Sequence, residues 1–464
     1  MKVLIDADLL ESLVTPTVTP ALILAGLLSH PMISLYRYAD DGPPPEIKAR
    51  KYGDWTTAYE GWATLGPEEP EMGGRLATCA SGDSVLNCGI LPRDFIHLAQ
   101  IADPSIYEEL GTDNAAAQRE ADAIAAQVAS SIDADLFITG RKLLHEGHEA
   151  FTRDITVLSP EKALPVVSLY LRTQGEFITY RSPDSRSTFR SNKWSFTWVG
   201  ARELLPASWK WFSSCVAESQ SRRDDTLLYL GQSSIQRVQR ALIARDTVHS
   251  VINQPQDNNT ADEILSNLDV IFVLLMGALD ATARVAHITL ELPSSKNRIR
   301  KAGWHVTDWL NTVRAADQSL ANIVAEGTPE QNLITIIRLL RNSVHGEASQ
   351  SLAVSNSGSR TETMFSLPSA DMAELITAME ALGGTEKWGV KEMIPGRMHA
   401  APHILLEAIL PPAISLLDSI MMQTPVERLP SYNASEVTLA PPSNDPLSPF
   451  SENNRKSIRW QLGL

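Results

Sequence analysis

The chain has 464 residues, 43% of them hydrophobic and 20% charged, with a formal charge of -15 at pH 7; that is enough apolar material for ordinary cores, and the length suits about two or three domains. The negative balance excludes a general nucleic-acid coat, which needs clustered Lys and Arg to release counterions, but it leaves room for a local basic cleft. Cys79, Cys88 and Cys215 are too few for a disulfide framework and lack the paired spacing of zinc knuckles, which points to a reducing cytosol.

At the amino terminus, Val3-Leu4-Ile5 reads as a short buried parallel strand ending in the carboxylates Asp6 and Asp8. Acids this early do not fit the charged-then-apolar plan of a secretory signal. The segment from Asp40 to Ser81, with Pro43-Pro44-Pro45 and little periodicity, reads as a long loop or insertion. Ala115 to Ser131, rich in Ala, Gln and Glu, reads as a helix, followed by a second buried strand, Asp135 to Thr139. Helix, then strand, then Thr-Gly is the grammar of an open α/β sheet.

These segments, together with Val157-Leu158-Ser159-Pro160-Glu161, resemble a PIN domain over residues 1–164, with 40–81 unmatched. PIN nucleases gather three or four carboxylates at the carboxyl ends of parallel strands to hold Mg²⁺ or Mn²⁺ against a phosphodiester. By that resemblance Asp6 and Asp122 match two metal positions, and Arg141 stands where the family has its last acid, after the strand as Thr-x-Asp. Asp8, Asp135, Glu46, Glu60 and Glu109 remain open as further acids. The resemblance therefore implies a degenerate PIN-like domain that binds rather than cuts.

Residues 165–223 read as a β-rich extension, with strands expected at Val166 to Leu171, Phe177 to Tyr180 and Trp194 to Trp198. Tyr180, Arg181, Arg186, Phe189, Arg190, Lys193 and Trp194 interleave basic and aromatic residues as single-strand binders do, although an exposed hairpin has the same pattern. From residue 224 to 423 the pattern is mainly helical, broken by polar loops at Gln254 to Thr260 and Ala348 to Thr361. Val270 to Leu279 is about half the ~20 apolar residues of a membrane span and reads as a buried helix. Asp280, Arg284 and His287 fall at helical spacing and read as a salt-bridged face. Lys296, Arg298, Arg300 and Lys301 form a basic cluster before Trp304 and His305, able to guide RNA toward a nearby site.

The strongest motif follows. Thr328-Pro329-Glu330-Gln331 starts a helix with a cap, a Pro in the first turn and a capping-box Gln, and Gly346 ends it. Leu333, Ile336, Ile337, Leu340 and Val344 form one apolar stripe, and Arg338, Arg341, Asn342 and His345 gather on the opposite side. Guanidiniums hold phosphate, an imidazole moves a proton and an amide orients either. Arg and His in the last turns also complement the helix dipole.

Arg341-Asn342-Ser343-Val344-His345-Gly346 resembles the Arg-Asn-x-x-x-His pattern of the HEPN superfamily, which includes metal-independent endoribonucleases of toxin-antitoxin, CRISPR and phage-defence systems. Three residues separate Arg341 from His345, one short of the usual minimum, and six separate Arg338 from it, which fits. The resemblance implies attack of an RNA 2′-hydroxyl on the adjacent phosphate, with His345 transferring the proton, Arg341 or Arg338 stabilising the phosphorane and Asn342 positioning. It further implies RNA as substrate, a homodimer built around this helix, a protein partner such as an antitoxin, and no cofactor at this site. A non-catalytic interaction module is the alternative. The expected fold is thus α/β plus all-α, a PIN-like parallel sheet and a HEPN-like bundle, with residues 424–464 as an extended tail rich in Pro, Ser and Asn.

Overall fold

In the computed structural model, the described residues are 1–13, 18–39, 51–52, 55–56, 59–69, 74–81, 84–90, 112–141, 144–145, 155–182, 187–293, 296–346, 350–355, 361–441 and 448–464. The chain divides into two compact units, one comprising 1–191 with 452–463 and the other 192–451.

In the first unit, β1 (Lys2–Asp6) leads through α1 (Ala7–Ser12) and α2 (Pro20–Leu28) to β2 (Ser34–Ala39). Thr19 caps α2 by accepting from Leu22 N at 3.2 Å. A two-residue hairpin, β3 (Lys51–Tyr52) and β4 (Trp55–Thr56), precedes β5 (Tyr59–Glu69), β6 (Gly74–Ser81) and β7 (Ser84–Ile90). Next come α3 (Thr112–Ser131), β8 (Leu136–Ile138), β9 (Thr156–Leu158), α4 (Pro160–Thr173) and the hairpin β10 (Phe177–Ser182) and β11 (Ser187–Ser191). Among the described residues the main sheet has seven strands in the order β7-β6-β5-β2-β1-β8-β9. The five from β5 to β9 in that order run parallel, while β6 and β7 extend the edge antiparallel.

Alternation explains why the centre of the first strand, Val3 to Ile5, is apolar throughout. Val3 and Ile5 join a core with Leu35, Ile138, Leu24 of α2 and Val167 of α4, whereas Leu4 joins Tyr38, Phe137, Ala126 and Val128 on the opposite face. Both faces are covered, so between Lys2 and Asp6 at its two ends no position on β1 is left for a solvated side chain.

Three readings of the first unit change. Val166 to Leu171 lies within α4, not a strand: Leu164, Val167, Ser168 and Leu171 are buried at helical spacing while Val166 faces out. The 40–81 segment supplies sheet strands, in which Ala63, Leu65, Ala77 and Cys79 are buried; residues 40–50 lie outside the described residues. The tail contains α15 (Glu452–Leu462), which belongs to this unit. Gln461 Oε1 accepts from Ser168 Oγ at 2.9 Å and Gln461 Nε2 donates to Ile178 O at 3.1 Å. Arg172 Nη1 also donates to Gln461 O at 3.0 Å.

The second unit is mainly helical: α5 (Lys193–Leu204), α6 (Ser208–Arg222), α7 (Thr226–Ile252), α8 (Asn258–Thr289), α9 (Lys296–Arg300), α10 (Thr307–Ala316), α11 (Gln318–Asn322), α12 (Pro329–Gly346), α13 (Met372–Ala381) and α14 (Pro402–Gln423). A four-stranded antiparallel sheet, β12 (Ser351–Ser355), β13 (Thr361–Ser366), β14 (Val390–Ile394) and β15 (Arg397–Ala400), interrupts them; β12 lies within the expected polar loop Ala348 to Thr361, whereas β14 and β15 fall in a stretch expected to be helical. Trp194 to Trp198 is helical rather than extended. Asn192 caps α5 by accepting from Ser195 N at 2.7 Å, and Trp194 and Trp198 stack one turn apart with centroids 5.6 Å apart.

The longest helices, α7 and α8, pack as an antiparallel hairpin whose second member opens with a reciprocal Asp257–Thr260 capping box. Within Val270 to Leu279, Ile271, Phe272, Leu275, Met276 and Leu279 are buried in this unit. By length and composition alone, α8 and the segment Pro402–Arg428 are apolar enough to cross a membrane.

Candidate functional site

Each unit brings some of the sequence-selected polar residues together. In the first, Asp6 ends β1 and Thr139-Gly140-Arg141 follows β8, so both stand at the carboxyl ends of adjacent parallel strands. The chain goes from β1 to β2 on one side and later returns to β8 on the other, which makes this the switch point of the sheet, where α/β folds place ligand sites. Asp6 Oδ2 accepts from Thr139 Oγ1 at 2.6 Å and from Gly140 N at 3.3 Å. His145 Nε2 donates to Thr139 O at 2.8 Å. Asp122 enters from α3, its side chain fully buried, and accepts from Gln118 Nε2 at 2.7 Å.

Arg141 lies between the two acids. Its Nη1 is 3.6 Å from Asp122 Oδ1, its Nε is 3.9 Å from Asp6 Oδ1, and its guanidinium carbon is 5.8 Å from the centroid of Tyr38. Burial pushes the Asp122 pKa up to about 6, an effect opposed by the Gln118 hydrogen bond and the Arg141 charge and reinforced by Asp6. Asp122 Oδ2 is buried and has no hydrogen-bond partner among the described residues.

This donor set does not fit a divalent cation. The positive charge between the carboxylates is already supplied by Arg141, and a cation placed there would meet a guanidinium instead of a third oxygen ligand. Asp135 cannot join: its Oδ2 accepts from Lys2 N at 2.8 Å, at the opposite end of β1 from Asp6. Asp8 lies exposed on α1. Glu46, Glu109 and the Glu60 side chain lie outside the described residues.

In the second unit, α12 starts with the expected Thr328 cap, Gln331 N donating to Thr328 Oγ1 at 3.2 Å, while the Gln331 side chain reaches one residue further back than a capping box and accepts from Gly327 N at 3.2 Å. Leu333, Ile336, Ile337 and Leu340 are buried, and so are Ile334 and Leu339 outside the stripe. Ile334 precedes Arg338 by one turn on the same face, so the polar patch is confined to the last two turns. There Arg338 Nη2 donates to Glu374 Oε1 of α13 at 2.6 Å, and Arg341 Nη1 to Asn342 Oδ1 at 3.1 Å. His345 lies in the helix, but its side chain is outside the described residues.

Two groups that the sequence singled out for other reasons interact electrostatically with this patch. Asp280 of α8 is pushed above the usual carboxylate range by burial, with His305, Arg284, Arg341 and Arg237 pulling it back. Crowding by protein atoms lowers the His305 pKa; Asp280 raises it, and the charges of Arg338 and Arg341 lower it further. His305 is held by its neighbours: buried Trp304 donates from Nε1 to Thr282 Oγ1 at 3.0 Å, and a Cβ on Gly303 would stand 3.0 Å from His305 Cε1. An imidazole whose pKa is lowered, near guanidiniums and a carboxylate, can exchange a proton while the guanidiniums hold an anion.

The expected face of Asp280, Arg284 and His287 divides. Asp280 and Arg284 belong to this cluster, whereas His287 is a core histidine whose Nδ1 accepts from Trp309 Nε1 at 3.1 Å. Tyr180 likewise leaves the basic-aromatic group, since it is buried and its hydroxyl donates to Ile23 O at 3.2 Å. The sequence clue that could have found His305 is the Gly303-Trp304 pair before it. For Arg237, which comes from α7, the clue is Gly277 amid bulky neighbours, because a Cβ there would stand 2.8 Å from Arg237 Nε.

Comparison of the chain with protein-family models, curated proteins and solved structures finds no match.

Proposed function

We propose that this protein binds RNA and cleaves it without a metal ion at the α12 patch, by attack of a 2′-hydroxyl on the adjacent phosphate. The observation that carries this reading is the grouping of Arg338, Arg341 and Asn342 on the last two turns of α12, where Arg341 Nη1 donates to Asn342 Oδ1 at 3.1 Å, with the charges of Arg338 and Arg341 acting on His305. Guanidiniums stabilise a phosphorane through charge, and a nearby imidazole can take the hydroxyl proton. His345 holds the proton-transfer role by its resemblance to the HEPN pattern, with Asn342 orienting Arg341 through their hydrogen bond. The same resemblance supports a homodimer and a stress or defence setting with a protein partner. In the amino-terminal unit, the Arg141 bridge supports a PIN-like domain that binds rather than cuts.

The test is cleavage of labelled single-stranded RNA in EDTA. Cutting that is lost in His345→Ala and Arg341→Ala supports the proposal, whereas cutting that requires Mn²⁺ and survives both substitutions moves the activity to the first unit. The second reading, a non-catalytic interaction module, is favoured by the pairing of Arg338 with Glu374, which offsets part of the patch's charge. Absence of cleavage, with RNA affinity unchanged in an Arg338/Arg341 double variant, selects that reading.

A further inference from the structure

A cleft of about 370 Å³ lies between α7 and α8, within the ~300–1,000 Å³ range of small-ligand sites. Its α7 wall is Thr226, Tyr229, Ser233 and Arg237, which repeat at helical spacing on one face. The α8 wall is Gly277, Asp280, Ala281 and Arg284, again one face, with the two small residues leaving the space. Arg237 is fixed in place: its Nη1 donates to Ser233 Oγ at 2.6 Å and to Gly277 O at 3.1 Å. Arg284 Nε is buried with no hydrogen-bond partner among the described residues. Tyr229 stands at the rim, 63% exposed.

Two guanidiniums against one carboxylate leave the cleft positive in a chain whose net charge is -15. Burial and the neighbouring Arg284 both lower the Arg237 pKa, Asp280 raises it, and Arg240 lowers it further. Two adjacent cations with one counterion are costly unless an anion joins them. An exposed aromatic ring at the mouth adds a stacking surface of the kind that sequence-tolerant single-strand binders use. Asp280 lines the cleft and its charge also acts on His305, which links the cleft electrostatically to the residues acting on the α12 patch.

We infer that this cleft seats a nucleotide of single-stranded RNA next to the one being cleaved, with its phosphate between Arg237 and Arg284 and its base on Tyr229. The inference rests on the RNA-cleaving reading of the α12 patch, and binding separates the two. The probe is a short fluorescein-labelled oligoribonucleotide, 2′-O-methylated so that it cannot be cut, titrated with the full chain by anisotropy.

Tyr229→Ala and Arg284→Gln should each weaken binding about tenfold, with Arg284→Lys recovering part of the loss. Asp280→Asn, which removes the opposing charge, should tighten binding about threefold, a gain that general destabilisation cannot produce. Unchanged affinity in both Tyr229→Ala and Arg284→Gln overturns the inference, as does a wild type that does not bind the probe. If His345→Ala abolishes cutting of unmodified RNA while Tyr229→Ala and Arg284→Gln bind normally, only the cleft assignment fails. If the wild type never cuts but binding depends on Tyr229 and Arg284, only the catalytic reading fails.

Discussion

Replacing Arg141 by Met should destabilise the first unit in a way that grows with pH. Asp122 is fully buried, and its folded pKa of about 6 exceeds its ordinary 3.8. The difference corresponds to about 3 kcal/mol of penalty for the ionised form in the folded state. A folded pKa above the unfolded one means that the folded state binds the extra proton. This contribution to stability is therefore most favourable below about pH 4, declines as pH rises toward 6 and is flat above it.

Without Arg141 the Asp122 pKa rises further and the decline extends past neutrality. At pH 5 the carboxyl is mostly protonated, so Arg141→Met should cost less than about 1 kcal/mol. At pH 8 the acid is ionised or must take up a proton, and the cost should reach about 2–4 kcal/mol. Hydrogen exchange of peptides from β1 and α3, followed across urea concentrations, reports this unit separately from the helical one. Adding Asp122→Asn to Arg141→Met should remove the pH dependence. Equal destabilisation at both pH values, or a larger loss in acid, would refute the assignment of Arg141 as the internal counterion.

Three further outcomes follow from the same geometry. Arg141→Asp replaces the guanidinium with a third carboxylate beside Asp6 and Asp122, and should create Mn²⁺ binding measurable by calorimetry; Mn²⁺ binding by the wild type that depends on Asp6 would contradict this account. Gln461→Ala removes the bonds to Ser168 and Ile178 and should cost about 1–3 kcal/mol, read as faster proteolysis within 452–463. Glu407 is pushed up by burial but held at about 2 by hydrogen bonds from His249 and Arg245. Its stabilisation is present above its ordinary 4.5 and lost as pH falls toward 2, so Glu407→Gln should flatten acid unfolding of the second unit over that window.

The elements read correctly from sequence are those whose signals are local. The continuous apolar run of β1, the β8 strand with its Thr-Gly end and the capped α12 each carry their own punctuation, and all three lie where expected. Segments that failed mix two periods. Trp194-Ser195-Phe196-Thr197-Trp198 alternates like a strand, yet the Asn192 cap and the one-turn spacing of its tryptophans suit a helix. In α15 the buried face includes Asn454, Ser457 and Gln461, so helical spacing is present without an apolar stripe to announce it. The sites divide in the same way. Asp122 and Arg141, 19 residues apart, were selected through the PIN resemblance, whereas the links of His305 to α12 and of Arg237 to Asp280 arise only from the packing of separate helices.

The central claim is metal-free RNA cleavage at α12, and one assay addresses it most directly: single-turnover cutting of single-stranded RNA by the full chain in EDTA, compared with His345→Ala and Arg341→Ala. The account predicts cutting by the wild type, products ending in a 2′,3′-cyclic phosphate, and a loss of about a hundredfold or more in each variant. Cutting that proceeds at the wild-type rate in both variants would contradict it.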